Sequence, residues 1–167
     1  RTAVFDTAYA NMLGANFDTV VVPHEVLKDD LIAHGHDADK IVVLGSARYC
    51  TGWVERLHDF VPFVLPVTAR SSKLNVVYMD RGADRHGRFK DSIEQALSAV
   101  AELDFVEFVY KPHTRSNQVL LSRLEARVTI ATDADSVNLV RWADVVIGTV
   151  SSVLVEVLLQ DKTLVYP

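Results

Sequence analysis

Two hydrophobic periods alternate along the central and C-terminal part of the chain. Short β-branched runs occur at Leu74 to Met79, Phe105 to Tyr110, Val128 to Ala131, Asp144 to Gly148 and Thr163 to Tyr166. Longer amphipathic stretches separate them, which is the signature of βαβ units. Between the first two runs Phe89, Ile93, Leu97 and Val100 recur at helical spacing and share one face, with Asp91, Glu94, Gln95 and Glu102 elsewhere on the cylinder. The second connection carries Leu120, Leu121 and Leu124 after Ser116 and Asn117, which are N-cap types. The third begins near Asp133 and presents Val137, Val140 and Trp142. The fourth starts at Ser151 or Ser152 and runs through Leu154, Val155, Leu158 and Leu159. Five strands joined by right-handed crossover helices predict an α/β domain with a doubly wound, Rossmann-like parallel sheet.

Upstream the pattern changes. Thr19 to Val22 predicts a strand that stops at Pro23, a helix follows from about Glu25 to Gly35, and Ile41 to Leu44 predicts a second strand ending at Gly45. Gly45 to Arg48 reads first as a turn. A short helix is expected around Trp53 to Leu57, and Pro62, Pro66, Thr68, Ser71 and Ser72 mark a linker. The expected organisation is therefore residues 1–60 as the end of a preceding domain and crossover segment, 61–73 as linker, and 74–167 as a nucleotide-binding domain. With no initiator Met and a strand-like end at Thr163 to Pro167, the sequence reads as a fragment cut short at its C-terminus.

Composition narrows the class. Of 167 residues, 49% are apolar and 23% charged, which excludes a disordered or low-complexity chain. A net charge of -5 argues against a broad nucleic-acid or anionic-lipid surface and leaves room for a local basic pocket. Cys50, the single cysteine, excludes an internal disulfide and a multi-thiolate metal site, and fits a reducing, cytoplasmic compartment. No apolar run approaches the ~20 residues of a membrane helix.

In an open parallel sheet, ligands bind beyond the carboxyl ends of the strands, so the chemistry is sought there. After the first run come Asp80, Arg81, Gly82, Arg85, His86, Gly87 and Arg88, a set that suits an anion or equally a solvated basic loop. After the second comes Lys111-Pro112-His113-Thr114-Arg115, with two cations and a titratable group able to meet a phosphate or to protonate a leaving group. After the fourth comes Gly148-Thr149-Val150-Ser151-Ser152, where hydroxyls and unpaired N–H groups at a helix start attract an anion. One of the two serines is explained by capping alone. Glu156, one turn further in, either accepts from ribose hydroxyls or is an exposed helix glutamate. His34 and His36 lack the further ligands a metal needs, so no metal site is expected. Neither Gly-x-Gly-x-x-Gly nor Gly-x4-Gly-Lys-Ser/Thr is present, which removes the main support for a dinucleotide dehydrogenase or a P-loop NTPase.

The run from Ala143 to Glu156, with Leu158 to Pro167 after it, resembles the donor-binding half of GT-B fold glycosyltransferases. Val21 to Pro23, Leu31 to Gly35 and Lys40 to Ser46 are similar to the segment with which such proteins pass between their domains. Lys111-Pro112-His113 and Ser151-Ser152 resemble the His-Pro and Ser-Ser motifs of bacterial transferases that use CMP- or CDP-activated donors, among them polysialyltransferases, capsule Kdo transferases and the teichoic acid transferases that use CDP-glycerol. Thr114 departs from that pattern, standing where the motif has proline. A similar strand, serine and glutamate arrangement occurs in UDP-N-acetylglucosamine 2-epimerases.

The resemblance implies a transferase domain that binds a nucleotide-activated sugar or polyol donor for surface polysaccharide synthesis in bacteria, with a glycan or lipid-linked acceptor. It implies that His113, Ser151 and Ser152 hold the donor phosphates and that the loop at Arg81 closes on the same anion; with Lys111, Thr149 and Glu156, read from their places at the strand ends, these are the expected donor contacts, His113 being also catalytic and facing Ser151 and Ser152 across neighbouring strand ends. It implies no cofactor beyond the donor, no nucleic-acid partner, and a catalytic base in the preceding domain, so that these residues alone are inactive; peripheral membrane association would come from regions outside them. The rivals are a sugar-nucleotide epimerase on the same fold and a non-catalytic nucleotide-binding or interaction module.

Overall fold

The computed structural model describes residues 17–65, 72–81, 89–114, 128–149 and 151–167. The chain divides into two compact units, Arg1–Cys50 and Thr51–Pro167. In the first, β1 (Val20–Val22), α1 (Glu25–Ala33) and β2 (Ile41–Val43) form a βαβ unit whose strands pair in parallel, Val20 opposite Ile41. Val22, Leu31 and Ile41 make its small core. His24 caps α1, its Nδ1 accepting from the Leu27 N–H at 3.1 Å. Gly35 ends the turn at φ +90°, a conformation glycine adopts without a Cβ penalty.

The second unit holds α2 (Thr51–Phe60), β3 (Leu74–Met79), α3 (Lys90–Ala101), β4 (Val106–Lys111), β5 (Thr129–Ile130), α4 (Ser136–Trp142), β6 (Val145–Gly148), α5 (Val153–Leu159) and β7 (Thr163–Val165). Its five strands are all parallel, in the order β5-β4-β3-β6-β7. This is the doubly wound arrangement, in which the chain starts at the middle of the sheet, winds to one edge, returns and winds to the other.

Strand periodicity divides the core into two layers. Val76, Tyr78, Phe108 and Tyr110 face Ile93, Leu97 and Val100 of α3. Val77, Met79, Val109 and Val146 face Leu139, Val140 and Trp142 of α4 and Val157 of α5. Val77, Val109 and Val146 have no exposed surface, and burial of each such side chain stabilises by roughly 1.5–3 kcal/mol. The amino ends of β3 and β6 are tied by Asp144, whose Oδ2 accepts from the Asn75 N–H at 2.9 Å while its own N–H donates to the Asn75 carbonyl at 2.8 Å.

Several elements differ from expectation. The division between units falls before α2, and α2 packs on α4 and α5. Its Val54 is buried, and His58 Nε2 meets Gln160 Oε1 at 3.0 Å. The first part of the expected linker also lies on the second unit, where the Asn138 amide donates to the Pro62 carbonyl at 2.6 Å and Leu65 joins the core. Phe89 is exposed because it precedes the first turn of α3 instead of lying on its stripe. The cap of α4 is Asp135, two positions after Asp133, its Oδ1 accepting from the Val137 N–H at 2.8 Å. In α5 the inward face is Leu154 and Val157, so Val155 and Leu158 point outward and are exposed. The expected helix around Leu120, Leu121 and Leu124, with Ser116 and Asn117, lies outside the described residues.

Candidate functional site

The winding reverses between β3 and β6, and the carboxyl ends of these two strands flank the crevice where doubly wound sheets bind ligands. Met79 lies opposite Lys111 on one side and Gly148 on the other, so the loops leaving β3, β4 and β6 start at one level.

Gly148 is there because of packing. A Cβ on it would stand 2.8 Å from Leu154 Cδ2, so its absence lets the first turn of α5 close onto the strand end. Thr149 follows, with a buried Oγ1 that has no hydrogen-bond partner among the described residues. The two serines divide the labour the sequence left open. Ser151 Oγ accepts from the Val153 N–H at 3.4 Å and its carbonyl from the Leu154 N–H at 3.1 Å, whereas Ser152 is exposed and makes no side-chain cap. Glu156 is buried at 6% exposure, so it is not the exposed helix glutamate that was one reading of it.

Asp80 occupies the middle of the constellation. Its carboxylate is buried and accepts the Tyr110 hydroxyl at 2.6 Å, and its N–H donates to the Lys111 carbonyl at 3.0 Å. The Tyr78 and Tyr110 rings stack at 5.7 Å beneath it. Burial raises the Tyr78 phenol far above its ordinary range, and the nearby Asp80 charge pushes in the same direction. Sequence reading passed over this group because Tyr78 and Tyr110 look like core residues and Asp80 like one polar residue of a loop. The signal available was that both tyrosines stand one residue short of the strand tip, Tyr78 before Met79 and Tyr110 before Lys111. Arg81 comes next and is half-buried; Gly82, Arg85, His86, Gly87 and Arg88 lie outside the described residues.

On the far side of β3, His113 is half-buried and Thr114 exposed beyond buried Pro112. The strand order corrects the expectation that His113 and the serines stand on neighbouring strands. β3 runs between β4 and β6, so two strand spacings of ~4.8 Å separate the two loops and Asp80 and Arg81 leave the sheet between them. Lys111 is buried, and its Nζ donates to the Thr132 carbonyl at 2.6 Å. Burial lowers the Lys111 amine below the usual lysine range, against the pull of the Asp133 and Asp135 carboxylates. Nearby, beyond the end of β5, lies a cavity of 410 Å³ lined by Val61, Pro62, Val64 and Leu65, by residues 130–135 and by Asn138. Its wall is of prolyl and aliphatic carbon, backbone and carboxylate.

No family model matches the chain, and no curated protein matches it. Solved structures do. Anabaena HepE in complex with UDP-glucose superposes with a TM-score of 0.54 at 16% identity, over 97% of this chain and 49% of HepE. The fold is Rossmann-like and of the GT-B type. A putative UDP-N-acetylglucosamine 2-epimerase from Listeria monocytogenes gives a TM-score of 0.61 at 17% identity, over 89% of this chain and 42% of the other. MnaA of S. aureus bound to UDP gives 0.62 at 12% identity, over 92% and 43%. The chain thus spans less than half the length of the proteins it matches, and at these identities the likeness concerns the fold. Among the described residues no helix is long and apolar enough to cross a membrane.

Proposed function

We propose that this chain binds the nucleotide-activated donor of a bacterial transferase that moves a sugar or polyol phosphate in surface polysaccharide synthesis. One observation carries the reading: hydroxyl, cationic and imidazole groups, Ser152 with Thr149, Arg81, and His113, follow the carboxyl ends of the three adjacent strands β6, β3 and β4. The phosphates lie there, and the base occupies the cavity beyond β5. From β5 to β6 is three strand spacings, ~14 Å, and β4 and β3 lie between them. The solved neighbours favour a nucleotide-sugar ligand, since HepE and MnaA hold UDP-glucose and UDP.

In this scheme Arg81, His113 and the N–H groups leading into α5 stabilise charge on the departing nucleotide phosphate, the electrostatic share of catalysis. His113 also donates a proton to it, and Glu156 orders the ribose side. The acceptor, a glycan or a lipid-linked glycan, and the general base come from the remainder of the protein. A second reading has a specific ground, the likeness to the Listeria 2-epimerase fold: a sugar-nucleotide epimerase would use the same donor contacts and invert a stereocentre instead of transferring a group.

Calorimetric titration of UDP and CDP into this chain tests the placement. Binding of at least one nucleotide, weakened about tenfold or more by His113→Ala and by Ser152→Ala, is the expected result. Unchanged affinity in both variants would put the phosphates elsewhere. NMR of UDP-N-acetylglucosamine incubated with the full-length protein separates transfer from epimerisation.

A further inference from the structure

We infer that Lys111 is a positioning residue for the nucleoside end of the site and not a ligand of the donor's phosphates, an inference that rests on the nucleotide reading above. Lys111 is the last residue of β4, and strand alternation sends its side chain to the same face as Val109, toward α4 and the loop before it. That loop leaves β5, which is held by a short ladder: Val109 opposite Thr129, Tyr110 opposite Ile130, and then the Ala131 N–H on the Tyr110 carbonyl at 2.9 Å. At Thr132 the backbone ladder has ended, and the Lys111 ammonium takes over, donating to the Thr132 carbonyl at 2.6 Å. The tie falls where the chain becomes the rim of the cavity, since Thr132, Asp133, Ala134 and Asp135 line it.

The strap has a second effect. Asp133 and Asp135 put two carboxylates on a rim that, in the proposed function, faces an anionic ligand, and Asp135 is held in place by capping α4. The Asp133 and Asp135 carboxylates both act on the Lys111 ammonium, which is held beside that rim on the Thr132 carbonyl. A lysine buried at 6% exposure, with its ammonium on a main-chain carbonyl, supports the rim at Thr132 without itself lining the cavity. Losing it would free residues 132–135 while the switch-point loops keep their own contacts.

Titrations of uridine and of UDP, monitored by NMR, into the whole chain and into Lys111→Met separate this role from phosphate binding. Expected is a loss of about tenfold for both ligands by the same factor, with the fold intact by circular dichroism. A loss confined to UDP would make Lys111 a phosphate ligand and overturn the inference, as would unchanged affinity for both. Should Lys111→Met fail to fold, Lys111→Gln carries the same comparison. If the unaltered chain binds neither uridine nor UDP, the nucleotide reading fails together with this one; if it binds both and the variant binds them equally well, only the strap is lost.

Discussion

Asp80 is a buried carboxylate whose hydrogen bond from Tyr110 measures 2.6 Å. Tyr110→Phe removes the donor and leaves the acceptor in place, the costly kind of deletion, so a loss of about 1–3 kcal/mol is expected in urea unfolding. The serine pair separates in the same assay. Ser151→Ala removes a cap and should cost about 0.5–1 kcal/mol, whereas Ser152→Ala, exposed and not capping, should leave stability within about 0.5 kcal/mol. Residue types at the strand ends were legible in the sequence, because Ser, Thr, His and Arg beyond apolar runs announce themselves. Their states were not. That Glu156 is buried and Asp80 partnered depends on which side of a seven-residue helix or a strand tip faces inward, and a single polar residue in the pattern does not carry that information.

The junction of β6 and α5 is set by Gly148. Its substitution by Ala drives a Cβ to 2.8 Å from Leu154 Cδ2 within a packed layer. Overpacking of this kind costs about 1–3 kcal/mol, and combining Gly148→Ala with Leu154→Ala should be less destabilising than the sum of the two alone. A denaturant series on the two single variants and the pair measures the coupling; strict additivity would mean the contact is not what keeps the position glycine. The strands themselves were readable because runs buried on both faces are apolar throughout, and the observed bounds shift by one residue or so. The allegiance of α2 was not readable. An amphipathic helix displays a face to bury, here Val54, and says nothing about which body it buries it against.

For the second unit as a whole, sequence order predicts a parallel doubly wound sheet, and strand order decides which loops meet. Nothing local in β4 or β6 states that β3 runs between them, so His113 and Ser152 were expected closer than the sheet allows. The same layering gives the sheet an alkaline limit. Tyr78 has no exposed surface and its pKa is raised in the folded state, so the unfolded chain loses that proton first. Its contribution is intact below about pH 10 and is lost as pH rises through the folded value, so stability declines there. In Tyr78→Phe that component of the decline should vanish, as measured by unfolding free energy against pH between 9 and 11, a window set by the ordinary tyrosine pKa of ~10. The most direct test of the nucleotide site is a map of amide shifts on titrating UDP into the whole chain. Shifts gathered at the carboxyl ends of the strands, at Arg81, His113, Thr149, Ser152 and residues 132–135, are the predicted result. No shifts at millimolar UDP, or shifts gathered around Asn75 and Asp144 at the opposite end of the sheet, would contradict it.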